Sequence, residues 1–384
     1  MNASAGRDRL RVVLVHNIIP PYRVPLFNAL AKCPGVDFRV LFMARTEANR
    51  SWRIPDGLAF EHEFMKGLHI PLKRGAWTVH LNPGVVGRIR AHDPDTVILP
   101  GYDSLTLYLA ALGVHVGRRR RVVSWAESNA VGKPADEGLR AAPKRWMMRH
   151  ADHVLVPGRL AEEYLRRFTR PGVPFSVFPN VVDETRFRLA APARAELRAA
   201  TRARLGLEGT VVLFSGQMIE RKGFHDLLPA FAAAEVEGPT TLLAVGSGAL
   251  EPELHALAAR VPAPKRVVPL PFQQLEALPG LYAAADVLVL PSREDPWPLV
   301  VVEAMHSGIP VVASDAVGNT PDLIREGETG WSFPAGDVAA LRRRIESLAG
   351  VDLEAAGRRA QAWVGAYCSL DRCVASFALA VGAA

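Results

Sequence analysis

Arg221 and Lys222 stand next to each other in the stretch Ser215-Gly-Gln-Met-Ile-Glu-Arg-Lys-Gly223, directly after the apolar run Thr210–Phe214. Phe224, Leu227, Leu228 and Phe231 follow at helical spacing, so the two cations fall where a strand hands over to a helix. Gly216 permits a close backbone approach, and two cations beside a helix start suit a pyrophosphate. A charged strand-to-helix loop with no ligand at all accounts for the same residues. A second turn, Ala244-Val-Gly246-Ser-Gly248, also follows an apolar run. Its glycines either bring backbone amides to a phosphate or base, or serve a tight turn.

The segment Ser292-Arg-Glu-Asp295-Pro-Trp-Pro298-Leu-Val-Val-Val-Glu303-Ala-Met305 carries two further acids. Pro298 suits the first turn of a helix and Gly308 its C-terminal cap. Glu303 then lies among Val and Met residues, where a carboxylate is costly unless it finds partners. A ribose diol would supply two hydroxyl donors, and a nearby Arg is the alternative partner. Asp295 precedes the helix on a loop that can present it to sugar hydroxyls. Gly318 and Asn319 sit in a turn before Thr320 and Pro321, which read as helix cap and first helical residue, so free amides there could face a phosphate.

Each of these motifs needs a strand before it and a helix after it. Strand-like runs alternate with helical segments through the whole chain, the pattern of parallel sheets with crossover helices. In the first half the runs are Leu10–His16, Val36–Ala44, Asp95–Gly101, Arg121–Ser128, Asp152–Gly158 and Phe175–Pro179. In the second they are Thr210–Gly216, Thr240–Gly246, Arg266–Phe272, Asp286–Ser292 and Pro310–Ser314. The stretch 46–82, with Trp52, Pro55, Gly57, Gly67, Pro71 and Gly75, breaks the rhythm and reads as an irregular excursion. The expected fold class is α/β: two Rossmann-like, doubly wound parallel-sheet domains facing across a cleft. The expected domains are 1–185, 186–355 and a C-terminal helical segment 356–384 that packs back across the junction. Ligands of such sheets bind where strands end and helices begin.

Charge and cysteine content narrow the function classes. Residues 1–150 hold 23 Lys and Arg against 12 Asp and Glu, a charge of +11, while residues 151–384 hold 23 against 27, a charge of −4. The basic half fits an anionic membrane face or an acidic small molecule. Few aromatics lie among its basic residues, so nucleic acid is not expected. The run Arg118 to Arg121 either joins that surface or forms a solvated loop. Cys33, Cys368 and Cys373 have no zinc or disulfide spacing and read as buried or near-surface thiols. No apolar run approaches the roughly 18 residues of a spanning helix, and Arg7, Asp8 and Arg9 sit where a leader would be apolar. A cytoplasmic protein, peripheral at the inner face of the plasma membrane, is the expectation.

Residues 211–337 resemble the donor domain of glycosyltransferase family 4, which has the GT-B fold and retains anomeric configuration. The likeness rests on the Gly216…Arg221-Lys222-Gly223 loop, the Gly246-Ser-Gly248 turn and Ala284-Ala-Asp286-Val-Leu-Val-Leu-Pro-Ser292. It also rests on the acid-X7-Glu pair Asp295 and Glu303 and on Glu326-Gly-Glu-Thr-Gly330-Trp331, and the linker Phe178 to Phe187 looks like the family's interdomain turn. The resemblance implies that Arg221 and Lys222 neutralise a donor diphosphate, Glu303 binds ribose, Asp295 contacts the transferred sugar, and Gly318 and Asn319 help hold phosphate or sugar. It implies no cofactor and no metal, the nucleotide-diphosphate sugar being a co-substrate.

Three departures stand out. The first acid is Asp295 where the family usually has Glu, Pro298 replaces a glycine, and Asn17-Ile-Ile-Pro-Pro-Tyr22-Arg23 replaces a glycine-rich loop. Related transferases that build cell-surface polysaccharides carry a similar Pro-Tyr-Arg stretch, which marks Tyr22 and Arg23 as acceptor-side candidates, with a rigid loop anchoring a carboxylate as the alternative. Glu127 is the best placed catalytic acid of the first domain. His16 is a second candidate, or a satisfied structural histidine. The expected reaction moves a sugar from a nucleotide-diphosphate sugar to a glycan or lipid-linked acceptor. A sugar-nucleotide epimerase or a silent sugar-nucleotide binding module are the rival readings.

Overall fold

The computed structural model describes residues 9–47, 56–72, 77–131 and 141–383. Trp52, Pro55 and Gly75 lie outside them, as do Arg7 and Asp8. The chain forms two compact units, one of Met1–Val181 with Leu370–Ala384 and one of Val182–Ser369.

In the first unit the strands are β1 (Leu10–His16), β2 (Val36–Phe42), β3 (Glu61–Phe64), β4 (Leu68–Leu72), β5 (Trp77–Leu81), β6 (Thr96–Pro100), β7 (Arg121–Trp125), β8 (His153–Val156) and β9 (Phe175–Val177). Its helices are α1 (Val24–Ala31), α2 (Val85–His92), α3 (Leu105–Gly113), α4 (Ala142–Arg149) and α5 (Arg159–Arg166). Seven strands pair in parallel in the order β3-β2-β1-β6-β7-β8-β9, and β4 and β5 form a separate antiparallel hairpin. The central strands are sealed on both faces, which explains their unbroken Val and Leu runs.

The second unit contains β10 (Thr210–Ser215), β11 (Thr240–Val245), β12 (Lys265–Leu270), β13 (Val287–Leu290), β14 (Val311–Ser314) and β15 (Gly330–Phe333), all parallel in the order β12-β11-β10-β13-β14-β15. Its helices are α6 (Glu184–Phe187), α7 (Ala191–Leu205), α8 (Phe224–Ala233), α9 (Glu251–Ala258), α10 (Leu278–Ala284), α11 (Leu299–His306), α12 (Thr320–Leu323), α13 (Val338–Ser347) and α14 (Leu353–Tyr367). The last helix, α15 (Leu370–Val381), belongs to the first unit.

One device recurs in both sheets. An Asp placed just before a strand accepts from the amide of its neighbour: Asp95 from Arg11 at 3.0 Å, Asp152 from Val122 at 3.0 Å and Asp286 from Val211 at 2.7 Å. Asp286 also binds Arg198 at 2.5 Å and Arg202 at 2.6 Å, tying α7 to the sheet. This member of the Ala-Ala-Asp286 motif is therefore a fold residue.

The structure alters several expectations. The described part of the excursion 46–82 is more regular than its glycines and prolines suggest, since it supplies β3 and the antiparallel pair β4 and β5. Strand β15 falls in Gly330-Trp-Ser-Phe, too short to register as a periodic run. Pro298 is the N-cap of α11, one residue before its first turn. The chain from Leu353 to Val381 is long and apolar enough to cross a membrane by length and composition alone, whereas none was expected. Within it α15 buries Cys373, Phe377, Ala380 and Val381 in the first unit, where Ser376 donates to the Val177 carbonyl at 2.7 Å. All three cysteines are buried and unbridged. The run Arg118 to Arg121 is mostly structural. Arg118 binds Asp93 and Asp95 at 3.0 Å each, Arg120 donates to the Val114 carbonyl at 2.8 Å, Arg121 donates to the Ala380 carbonyl at 2.6 Å, and Arg119 alone of the four is 82% exposed.

Candidate active site

In the second unit the order of strands reverses between β10 and β13, and the sequence motifs converge there. The turn after β10 is a short 3₁₀ helix, Glu220–Lys222, stopped by Gly223 at φ 66°. A Cβ on Gly223 would lie 1.8 Å from the Pro291 carbonyl oxygen, so glycine is required where this turn meets the end of β13. The backbone is stitched across the same junction: Arg293 donates its amide to the Arg221 carbonyl at 2.9 Å, and Arg221 Nη1 donates to the Glu294 carbonyl at 2.8 Å. Arg293 is fixed in turn by a two-pronged bond to Asp226 at 2.9 and 3.0 Å.

The result is that Lys222 Nζ bonds to Asp295 Oδ2. Two candidate residues 73 positions apart become one ion pair, with the carboxylate largely buried and the ammonium side chain 17% exposed. The ammonium group has three N–H donors, so bonding Asp295 leaves others for an outside anion. Asp295 is also held from behind, donating its amide to the Ala316 carbonyl at 3.3 Å and accepting the Gly318 amide at 2.8 Å. Asn319 is fully buried and donates to the Pro298 carbonyl at 3.1 Å. Gly318 and Asn319 thus act on the loop that carries Asp295.

Glu303 lies on α11 and is buried. Its partner is Tyr282, whose hydroxyl donates to Oε2 at 2.6 Å, and not the Arg that the sequence offered as an alternative. Burial raises the Glu303 carboxyl to about 7, with the Tyr282 hydrogen bond pulling the other way. Tyr282 was not foreseen, because an aromatic inside an Ala-rich helix reads as core.

Gly216, Gly246 and Gly248 have their amides engaged, to the Val245 carbonyl at 3.0 Å, the Leu270 carbonyl at 3.0 Å and Glu251 Oε1 at 2.7 Å. At Gly246, with φ 145°, a Cβ would lie 1.8 Å from the Gly216 carbonyl oxygen. The structure puts these glycines to use in packing two loops together.

In the first unit the strands β1, β6 and β7 end around a polar cavity of about 370 Å³. His16, Tyr22, Arg23 and Glu127, all named from sequence, line it. Arg23 enters on a 3₁₀ turn, Pro21–Arg23, stacks 4.5 Å over the Trp125 ring, and donates to Glu127 at 2.5 Å. His16 is bonded through Nδ1 to the Ile18 carbonyl at 2.9 Å. Burial, with Arg23 adding to it, lowers its imidazole to about 3, so the ring is neutral and Nδ1 is the donor. Sequence reasoning missed the opposite wall. There His80, on the hairpin, meets Glu47 at 2.9 Å and His69 at 3.0 Å, and Asn17 donates to Glu47 at 3.1 Å. Glu47, His69 and His80 lie in the excursion, with no local spacing to announce them.

Residues 198–356 match the family model for glycosyl transferases group 1. D-inositol 3-phosphate glycosyltransferase of Mycobacterium sp. (strain KMS) is 36% identical over 227 residues, covering 57% of this chain and 49% of that protein. The chain therefore spans about half the length of the curated relatives it matches. Among solved structures, sucrose-phosphate synthase from Thermosynechococcus elongatus aligns with TM-score 0.72 at 20% identity, covering 97% of this chain and 98% of that one. Anabaena HepE in complex with UDP aligns with TM-score 0.73 at 18% identity, covering 98% and 100%. These likenesses establish the fold as the GT-B type with two Rossmann-like parallel sheets.

Proposed function

We propose that this protein is a retaining glycosyltransferase of family 4 that moves a sugar from a nucleotide-diphosphate sugar to a glycan or lipid-linked acceptor, without a metal ion. The observation that carries this reading is the convergence of Arg221, Lys222 and Asp295 at the β10–β13 switch, on the loop that leads into α11 with its buried Glu303. The relatives and neighbours support it through their names: the mycobacterial relative is a glycosyltransferase, and HepE binds UDP.

In this reading the second unit holds the donor. Lys222 and Arg221 face the diphosphate and stabilise the charge that grows on it as the glycosidic bond breaks. Glu303 accepts from ribose hydroxyls through the oxygen that Tyr282 leaves, and Asp295 accepts from hydroxyls of the transferred sugar. The acceptor hydroxyl takes the anomeric carbon on the face from which the diphosphate departs. The cavity of the first unit, with Tyr22, Arg23, Glu127 and His16, holds the acceptor. Positioning and electrostatics supply the acceleration. The protein works in the cytoplasm, with its basic first unit at an anionic membrane face.

The test is thermal stabilisation across UDP-, GDP- and ADP-sugars with EDTA present, followed by release of nucleoside diphosphate. A shift with one nucleotide sugar supports the donor site and names its base. No shift with any of them, and no release, overturns the reading.

A further inference from the structure

The cavity of the first unit contains three side chains that are more than nine-tenths buried and hold a polar atom with no partner: Arg23 Nη1, Trp125 Nε1 and Thr78 Oγ1. A buried polar atom without a partner is destabilising, so each is best explained by a group that binds there. Arg23 and Trp125 can only donate, and they ask for oxygen lone pairs. The lining also carries the carboxylates of Glu47, Asp103 and Glu127, which can accept further hydrogen bonds from a ligand. Oxygen that both accepts and donates is hydroxyl oxygen. The volume of about 370 Å³ lies within the roughly 300–1,000 Å³ of small-molecule sites.

Charge then separates two kinds of polyol. Among the described lining residues three carboxylates face a single guanidinium, Arg23, and that guanidinium is already bonded to Glu127. His16 is neutral, and counting His80 as charged still leaves the lining negative. A phosphate monoester can only accept hydrogen bonds at neutral pH and carries up to two negative charges. It would meet the like charge of the three carboxylates and offer them no hydrogen bond.

We propose that the first-unit cavity selects an acceptor that is an unphosphorylated polyol ring, a neutral or amine-bearing sugar, and discriminates against acceptors that present a phosphate monoester there. This rests on the glycosyltransferase reading and sets the chain apart from the curated relatives, whose name specifies a phosphorylated inositol. Asp103 and Glu127 are then specificity-determining residues, through the charge they place on the wall.

The experiment uses the full chain saturated with the nucleoside diphosphate that stabilises it, titrated calorimetrically with matched probes. The pairs are myo-inositol against D-inositol 3-phosphate and methyl glucoside against its 6-phosphate. The unphosphorylated member of at least one pair is expected to bind at least about tenfold more tightly than its ester. Asp103→Asn and Glu127→Gln are expected to shrink that ratio while circular dichroism stays unchanged. Ester binding as tight as or tighter than the polyol, or no binding of any polyol, overturns the proposal. Failure of the underlying reading has a different signature, the absence of any nucleoside diphosphate binding in the same titrations.

Discussion

The hydroxyl of Tyr282 donates at 2.6 Å to Glu303 Oε2 inside the second unit, and burial keeps that carboxyl near 7. Ribose hydroxyls bound to Glu303 would favour the carboxylate and lower its pKa in the complex. Nucleotide affinity is therefore expected to fall as pH drops below 7, by up to about tenfold per pH unit until the complex titrates. Calorimetric titration of the nucleoside diphosphate from pH 5.5 to 8 checks this. Glu303→Gln should bind more weakly and flatten the profile, and a pH-independent wild-type affinity would refute the ribose contact.

Removing Lys222 has two consequences that must be separated. Lys222→Ala takes away the proposed diphosphate cation and also leaves the buried Asp295 carboxylate without its partner. The single variant is expected to lose about 10²–10³ in turnover and some stability as well. Lys222→Met combined with Asp295→Asn should recover the melting temperature and leave turnover as low. If the double variant regained turnover along with stability, the pair would be structural only.

Gly223 and Gly246 carry the packing of the motif loops, each with a carbonyl oxygen where a Cβ would be. Gly223→Ala and Gly246→Ala are each expected to destabilise the second unit by more than about 1 kcal/mol. Urea denaturation followed by tryptophan fluorescence measures this. Gly350→Ala, with nothing near its Cβ position, is the control and should be close to neutral.

Acid is expected to weaken the two units unequally. In the first, burial lowers His16 to about 3 and His153 to about 4, and His69, His92 and His115 are also lowered. Their unfolded forms take up protons below about 6.5 that the folded forms refuse, so stability falls as pH drops, by up to about 1.4 kcal/mol per unit for each of the buried His16 and His153. The raised carboxyl of Asp103 works in the opposite direction. In the second unit His306, lowered to about 4, acts the same way, but Glu303 opposes it: a raised carboxyl contributes stability below about 4.5 that is lost as pH rises through 7. Between pH 6.5 and 4.5 these two nearly cancel. Hydrogen exchange corrected for intrinsic rates should show β1 and β7 losing protection at pH 5 before β10 and β13; the opposite order would contradict the balance.

Legibility in the sequence followed chain locality. Strands such as β1, β10 and β13 were readable because each is a self-contained apolar run sealed on both faces. Arg221, Lys222, Asp295 and Glu303 were readable because each motif sits at a strand end, which is where a doubly wound sheet gathers its loops. Tyr282 was not, since only the tertiary structure tells a core phenol from one bonded to an acid. Glu47 and His80 lie 33 positions apart and meet across the hairpin, and no periodicity connects them. Asp286 was legible as a motif and illegible as a function, because its arginines come from a helix more than eighty residues upstream.

Helix α15 places the last contribution to the first unit at the far end of the chain. A ribosome making this protein finishes the stretch Val182–Ser369 before it delivers Phe377 and Val381, so the unit begun first is completed last. Until then the surface on β8 and β9 that α15 covers stays open. A stop codon after Ser369 would spare every residue of the donor-side motifs and still strike the unit that contains the polar cavity.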